Sequence, residues 1–334
     1  MNAPSENPKR IAIAGAGNMA RVRGQAFIDT GRAQICAVAS RRANSARACA
    51  AELGCELYFD DYRRLAASQP DALLIELPHK PQDEVSLWAL QEGLDVLIGG
   101  CLAADLEAGE QIIDLAQRHN LIVEAGFQRR YDPAWQEIHR LINSGELGAP
   151  AMATCMALWH PDPTTWYCDQ DQSGGMPLTH MSYCYLNACR WILGQPTAVS
   201  AAANRTVGTA PNRVTEESCA ALIHFANGAF LSATASYIGP QGMDDARTRI
   251  VCSAGGVLVN SDESLTIYRQ DQSEQRTFPS SPSSMVHQAN AFLDALDTRT
   301  PAHNPPADAL VDLHIAAVIS TAAAQHRTIP LEPS

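Results

Sequence analysis

The chain has 334 residues, 46% hydrophobic and 18% charged, with a formal net charge of −12. That length points to one large domain or two, with enough apolar material for substantial cores. The negative balance argues against nucleic acid or an anionic membrane as main partner, since either needs a basic face, and no apolar run reads as membrane-spanning.

The first ten residues are polar and lack the apolar stretch of a signal peptide. Residues 11–14, I-A-I-A, then form a short apolar run, the pattern of a strand buried on both faces. Gly15, Gly17 and Ala20 follow as G-x-G-x-x-A. Gly15 allows the tight turn, Gly17 leaves room for a pyrophosphate, and Ala20 lets the next helix pack on the strand. That helix, through Met19 and Phe27 to about Asp29, points its unpartnered N–H groups at the phosphates. Gly15, Gly17, Asn18 and Met19 are therefore expected to hold a dinucleotide; the alternative is a glycine turn that only packs.

A second strand, 34–39, ends at Ser40-Arg41-Arg42. An acid here would take a ribose 2′-hydroxyl and repel a 2′-phosphate. A hydroxyl and two guanidinium groups, which bind phosphate through charge-assisted hydrogen bonds, favour NADP(H) over NAD(H). Further on, helices are expected over 43–53, from about Arg63, and over 83–93 and 105–119. Strands are expected over 71–75, 95–98 and 121–124, with 76–82 and 99–103 as loops. This alternation implies a doubly wound parallel sheet, the Rossmann arrangement, with the loops at Gly15, Ser40, Leu77, Gly99 and Gly126 lining one crevice.

From residue 149 the pattern changes. Strands are read over 149–157, 197–204, 219–225, 229–237, 248–252, 256–259 and 264–269, with Asn227-Gly228 as a hairpin turn. Helices fit 177–193, 285–297 and 307–325. Strands clustered with few helices imply an α+β layer. The ten cysteines include no C-x-x-C pair. They read as reduced, buried thiols in a cytoplasmic protein, with no metal site expected.

Several segments share one resemblance. G-F-Q-R-R-Y-D-P at 126–133, Leu77-Pro78-His79, G-E-L-G at 145–148, Ser173-Gly174-Gly175 and R-W-I-L-G at 190–194 resemble segments of the Gfo/Idh/MocA oxidoreductases, and the similarity runs from about 11 to 329. It implies a Rossmann domain over 8–128. A substrate and oligomerisation domain would cover 129–334, built on an open, mostly antiparallel sheet, with the helix near 307–325 packing back towards the first domain. It also implies cofactor contacts from Leu77, Pro78, His79, Gln82, Gly100 and Gln128, lining roles for Arg129, Trp166 and Tyr167, and a homodimer or homotetramer assembled through the free sheet face. Members usually transfer hydride between a nicotinamide and a sugar, polyol or related alcohol.

The departures from that pattern bear on chemistry. The family's E-K-P segment falls on Gly99-Gly100-Cys101, so its lysine is Gly100 here. The Asp and His of the second-domain signature fall on His180 and Cys184, and a further Asp on Asn187. Alcohol oxidation releases a proton with the hydride, and a positioned base contributes ~10² to 10⁴ in rate. His180 is the leading replacement because it moves protons near neutral pH; its other reading is a packed histidine. Tyr183 and Cys184, three and four residues on, would share its helix face, and Lys80 could reach inward from the cofactor loop. Three functions follow: an NADP(H)-dependent reductase of an imine, activated C=C or polarised carbonyl; a sugar or cyclic-diol dehydrogenase with relocated acid–base groups; or a non-catalytic NADP-binding sensor or scaffold. Each takes a small molecule as partner.

Overall fold

The computed structural model of the chain describes residues 7–332 other than 163, 207–211, 244, 262 and 302, and the side chains of all of these except 182–185. The chain divides into two compact units: Met1–Tyr131 with Pro282–Leu310, and Asp132–Ser281 with Val311–Ser334.

In the first unit β1 (Lys9–Ala14), α1 (Asn18–Asp29), β2 (Ala33–Ala39), α2 (Ala43–Glu52), β3 (Tyr58–Phe59), β4 (Ala72–Ile75), α3 (His79–Gln91), β5 (Asp95–Ile98), α4 (Leu106–His119) and β6 (Val123–Ala125) alternate. Their strands form one parallel sheet in the order β3-β2-β1-β4-β5-β6. The apolar runs are the strands: Ile11, Ala12 and Ile13 of β1 and all of β4 are fully buried, as parallel strands covered on both faces must be. Strand order reverses between β1 and β4, and ligands of such sheets bind beyond the carboxyl ends of the strands at that switch. One expectation is corrected here. Residues 79–82, read as loop, are the first turn of α3. Pro81 falls within that turn, where a missing N–H leaves no helical bond unmade.

The second unit opens on α5 (Pro133–Asn143), whose N-cap Asp132 accepts from Ala134 N–H. It continues through β7 (Pro150–Leu158), the short α6 (Gln170–Ser173), a π-helix over Pro177–Leu186, α7 (Asn187–Leu193), β8 (Pro196–Asn204), β9 (Ser218–Phe225), β10 (Phe230–Ser236), β11 (Thr248–Cys252), β12 (Gly255–Ser261), β13 (Ser264–Arg269) and β14 (Gln272–Thr277). After α8 (Ser284–Thr298), which belongs to the first unit, and α9 (Pro306–Gln325), the short β15 (Ile329–Pro330) joins the same sheet. Its order is β14-β13-β12-β11-β7-β10-β9-β8-β15, and every pairing is antiparallel except β7 with β10. One face carries the core residues Ala153, Cys155, Leu231, Ala233 and Ile250, which pack with Trp135 of α5 and Ile315 and Ile319 of α9.

Three further expectations change. The domain boundary at 128 moves to 131, and the first unit reclaims residues 282–310: Phe292 and Leu293 of α8 join its core, with Phe292 edge-on to Phe27 of α1. The helix read over 177–193 is two elements, the π-helix and α7. And α9, contrary to the reading of no membrane-length run, is long and apolar enough to cross a membrane, with a mean hydropathy of 1.4. It is a core helix: Asp312 on it is fully buried and bound by Arg190 and Asn187 of α7. The first residues of α9, to Leu310, belong to the first unit and the rest to the second.

Candidate functional site

The first unit carries the features that fit a dinucleotide. Gly15 has φ +124°, and a Cβ there would lie 2.1 Å from the Glu76 carbonyl oxygen, so only glycine fits this turn. A Cβ on Gly17 would meet nothing within 4 Å. Gly17 is also the N-cap of α1 and provides no side-chain cap, and the first turn holds no acid, so nothing in that turn competes with an anion at the helix N-terminus. Asn18 is exposed and Met19 half-buried beside them. At the end of β2, the backbone N–H of Ser40 donates to the Phe59 carbonyl, 3.1 Å away. Arg41 and Arg42 are exposed, and neither guanidinium meets an acid or acceptor among the described residues.

On the β4 side, Leu77 and Pro78 are half-buried and His79 is buried. Gln82 is fully buried and donates to the Cys101 carbonyl at 2.9 Å, while its Oε1, like Oε1 of Gln128, is buried without a hydrogen-bond partner among the described residues. Buried acceptors left open in this way call for a donor, a role that an amide-bearing cofactor or a water would fill. Gly100 has φ +91°, and a Cβ there would meet only His79 Nε2, 3.6 Å away. The position assigned to the family's lysine therefore has space for a side chain but a backbone conformation that strains any residue other than glycine. Lys80 does not turn inward; its Nζ lies 3.3 Å from Asp105, and both groups are about half exposed. This is a surface ion pair.

The second unit holds His180, on the π-helix. Its ring stacks on Trp159 (centroids 5.3 Å apart, 20° between planes) and stands edge-on to Tyr237 at 5.6 Å. Thr179 Oγ1 and the Tyr237 hydroxyl are hydrogen-bonded at 2.5 Å, which fixes that ring. Trp159 also meets Tyr167, itself stacked on Trp166. His180 and Trp159 line a cavity of ≈ 530 Å³ with His160, Gln241 and Asp245. An aromatic floor beside polar groups suits a small ring-shaped ligand. The sequence pointed to His180 but not to Trp159 and Asp245, which line the cavity with it, or to Tyr237, which packs against its ring. Spacing of 3.6 residues placed Tyr183 and Cys184 on His180's face; the helix there is π, with a wider repeat, and those two side chains lie outside the described residues. Asn187, on α7, donates to Asp312 at 2.7 Å within the core.

Two family models match this chain: an oxidoreductase family, NAD-binding Rossmann fold, over residues 9–127, and a GFO/IDH/MocA C-terminal domain over 135–258. The chain belongs to the Gfo/Idh/MocA family of oxidoreductases and binds a nicotinamide dinucleotide. Among its relatives, inositol 2-dehydrogenase 4 of Saccharopolyspora erythraea is 24% identical over 79% of this chain and 77% of its own length. D-glucoside 3-dehydrogenase of Escherichia coli is 27% identical over 62% of this chain and 61% of its own. A levoglucosan dehydrogenase in complex with NADH and levoglucosan shares the fold, with a TM-score of 0.90 at 17% identity over 98% of this chain and all of that one.

Proposed function

We propose that this protein is an NADP(H)-linked oxidoreductase that reduces a polarised acceptor, a carbonyl, imine or activated C=C, on a small ring-shaped substrate. The observation that carries this reading is the bare Gly100 in the first unit, where the family pattern has its lysine; the second unit, taken by itself, holds a histidine on an aromatic floor. Oxidation of an alcohol needs a base from the start, whereas a polarised acceptor needs only one proton as it receives hydride. The bound nicotinamide supplies that hydride. The carbon of a carbonyl or imine would take the hydride and its oxygen or nitrogen a proton from the His180 imidazole; in an activated C=C the β-carbon would take the hydride and the α-carbon the proton. Trp159 and Tyr237 orient that imidazole and cover one face of it. The names of the relatives, dehydrogenases of inositol, a glucoside and levoglucosan, favour a second reading, oxidation of a sugar or cyclic diol with His180 as base. A panel of ketones, imines, enones and keto-sugars with NADPH, run against common sugars with NADP⁺, separates the two: brisk sugar oxidation would reverse the order proposed here, and no hydride transfer to any of them would favour a non-catalytic binding protein.

Arg41 and Arg42 support NADP(H) over the NAD(H) named for the relatives. Their guanidinium groups, which meet no acid or acceptor among the described residues, stand at the end of β2, where a 2′-phosphate would lie, and a hydrogen bond to a charged group contributes roughly 1.5–3 kcal/mol. Calorimetry should show tighter binding of NADPH than NADH, with Arg41→Ala narrowing the difference. Equal affinities in the wild type would overturn this preference.

The outer face of the second unit's sheet supports a homodimer or homotetramer. By register, Leu222, Phe230, Met152, Val251, Leu258 and Tyr268 share it, and Val251 and Tyr268 are 45% and 46% exposed. An apolar stripe across six strands marks an association surface. Light scattering should give an oligomer that Val251→Asp or Tyr268→Asp dissociates; a wild-type monomer at micromolar concentration would rule the interface out. The nine described cysteines are all buried and unbridged, which is compatible with a reducing, cytoplasmic setting.

A further inference from the structure

Glu76 follows β4 directly, at the switch point of the first unit's sheet. Its side chain is 8% exposed, and Oε1 lies 2.7 Å from Nε of Arg23, a buried residue of α1. Arg23 also donates to the Gly126 carbonyl at 2.7 Å and to Gln288 of α8. The contact with Arg23 is an ion pair, and among the described residues neither carboxylate oxygen makes a hydrogen bond. The carboxyl leans over the β5 loop: a Cβ built on Gly99 would lie 2.3 Å from Glu76 Cδ, 2.3 Å from Oε2 and 2.5 Å from Oε1, and these are its three nearest atoms. Gly99, unlike Gly100, does not have a positive φ, so its backbone would accept a side chain. The volume that a residue-99 side chain would enter is filled by the carboxylate of residue 76, and the family pattern places a glutamate at 99.

We propose that Glu76 delivers from β4 the carboxylate that this family's pattern delivers from residue 99, and that its open Oε2 accepts a hydrogen bond from a ribose hydroxyl in the nicotinamide half of the cofactor. This rests on the nicotinamide dinucleotide site described above. Arg41 and Arg42 mark the adenosine side at the end of β2, and α1 takes the pyrophosphate. The other half of the cofactor therefore falls at the ends of β4 and β5, where Glu76 is the exchanged group. Arg23 holds the carboxylate in place, and burial pushes its pKa up to about 7 against the guanidinium's opposing pull, so a donor at Oε2 also favours its ionised form. Glu76 is a positioning residue in this scheme.

The test is a double-mutant cycle read by calorimetry with NADPH and with 2′,5′-ADP, which lacks the nicotinamide half. Glu76→Ala should weaken NADPH binding ~10-fold or more and leave 2′,5′-ADP unchanged. Gly99→Ala, by displacing the carboxylate, should produce a similar loss that does not add to that of Glu76→Ala. Glu76→Ala combined with Gly99→Glu should regain most of the affinity. If Glu76→Ala does not fold, Glu76→Gln, which keeps the volume, should still weaken NADPH selectively. Wild-type NADPH affinity in Glu76→Gln or Glu76→Ala, or additive losses in the cycle, would overturn the proposal. A wild type that binds neither NADPH nor 2′,5′-ADP would instead remove the cofactor site beneath it.

Discussion

His180→Ala or His180→Gln should lower turnover by ~10² or more and leave NADPH affinity unchanged. The imidazole stands on Trp159 and against Tyr237, so its orientation does not depend on a bound substrate. Alanine removes the ring; glutamine keeps much of the volume and a polar end but cannot exchange a proton near neutrality. The groups that fit the cofactor, from Gly15 to Gln128, all belong to the first unit and His180 to the second, which is why the loss should appear in kcat and not in the dissociation constant for NADPH. The pH–rate profile should also lose a limb near neutrality. If turnover survives both substitutions, His180 is structural and solvent or the substrate provides the proton. A lysine at 100 is not a simple reversion, because φ +91° there disfavours every side chain.

Asp312→Ala should destabilise the protein by about 3–5 kcal/mol, the range for removing one partner of a buried ion pair. Arg190 Nε and Nη2 reach the two carboxylate oxygens at 2.7 and 2.9 Å, and Asn187 adds a third bond at 2.7 Å. Asp312 is fully buried and the Arg190 side chain 8% exposed. The alanine variant leaves a guanidinium charge and an amide donor without their acceptor and far from water. Urea unfolding should show the loss as a lower midpoint. A joint replacement, Asp312→Leu with Arg190→Met, should recover much of it, since an apolar pair of similar volume leaves no charge behind. A loss below ~1 kcal/mol for Asp312→Ala would mean the pair is solvated in solution, as exposed pairs are.

Local rules carried much of the first unit. Strands β1, β4 and β5 are short apolar runs because both their faces are covered, and the turn at Gly15 needs glycine because the Glu76 carbonyl occupies the place of a side chain. Those are properties of a few neighbouring residues, so they are legible in order along the chain, as are the two arginines after β2. Elements whose identity depends on distant partners were not legible. The polar β14, Q-S-E-Q-R-T, is a strand because β13 offers it an edge, and no alternation in its own sequence says so. The turn of π-helix at His180 was not legible, and α8 joined the first unit through Phe292 and Phe27 rather than through sequence proximity. Trp159 reached His180 across the second unit, and the carboxylate of Glu76 filled the space over Gly99 on the next strand. The sequence by itself determined the nicotinamide-binding architecture, because turn chemistry and strand periodicity are local. Only the tertiary structure decided what surrounds His180 and which side chain fills the place over Gly99, because a close-packed interior assigns that volume among residues far apart in the chain.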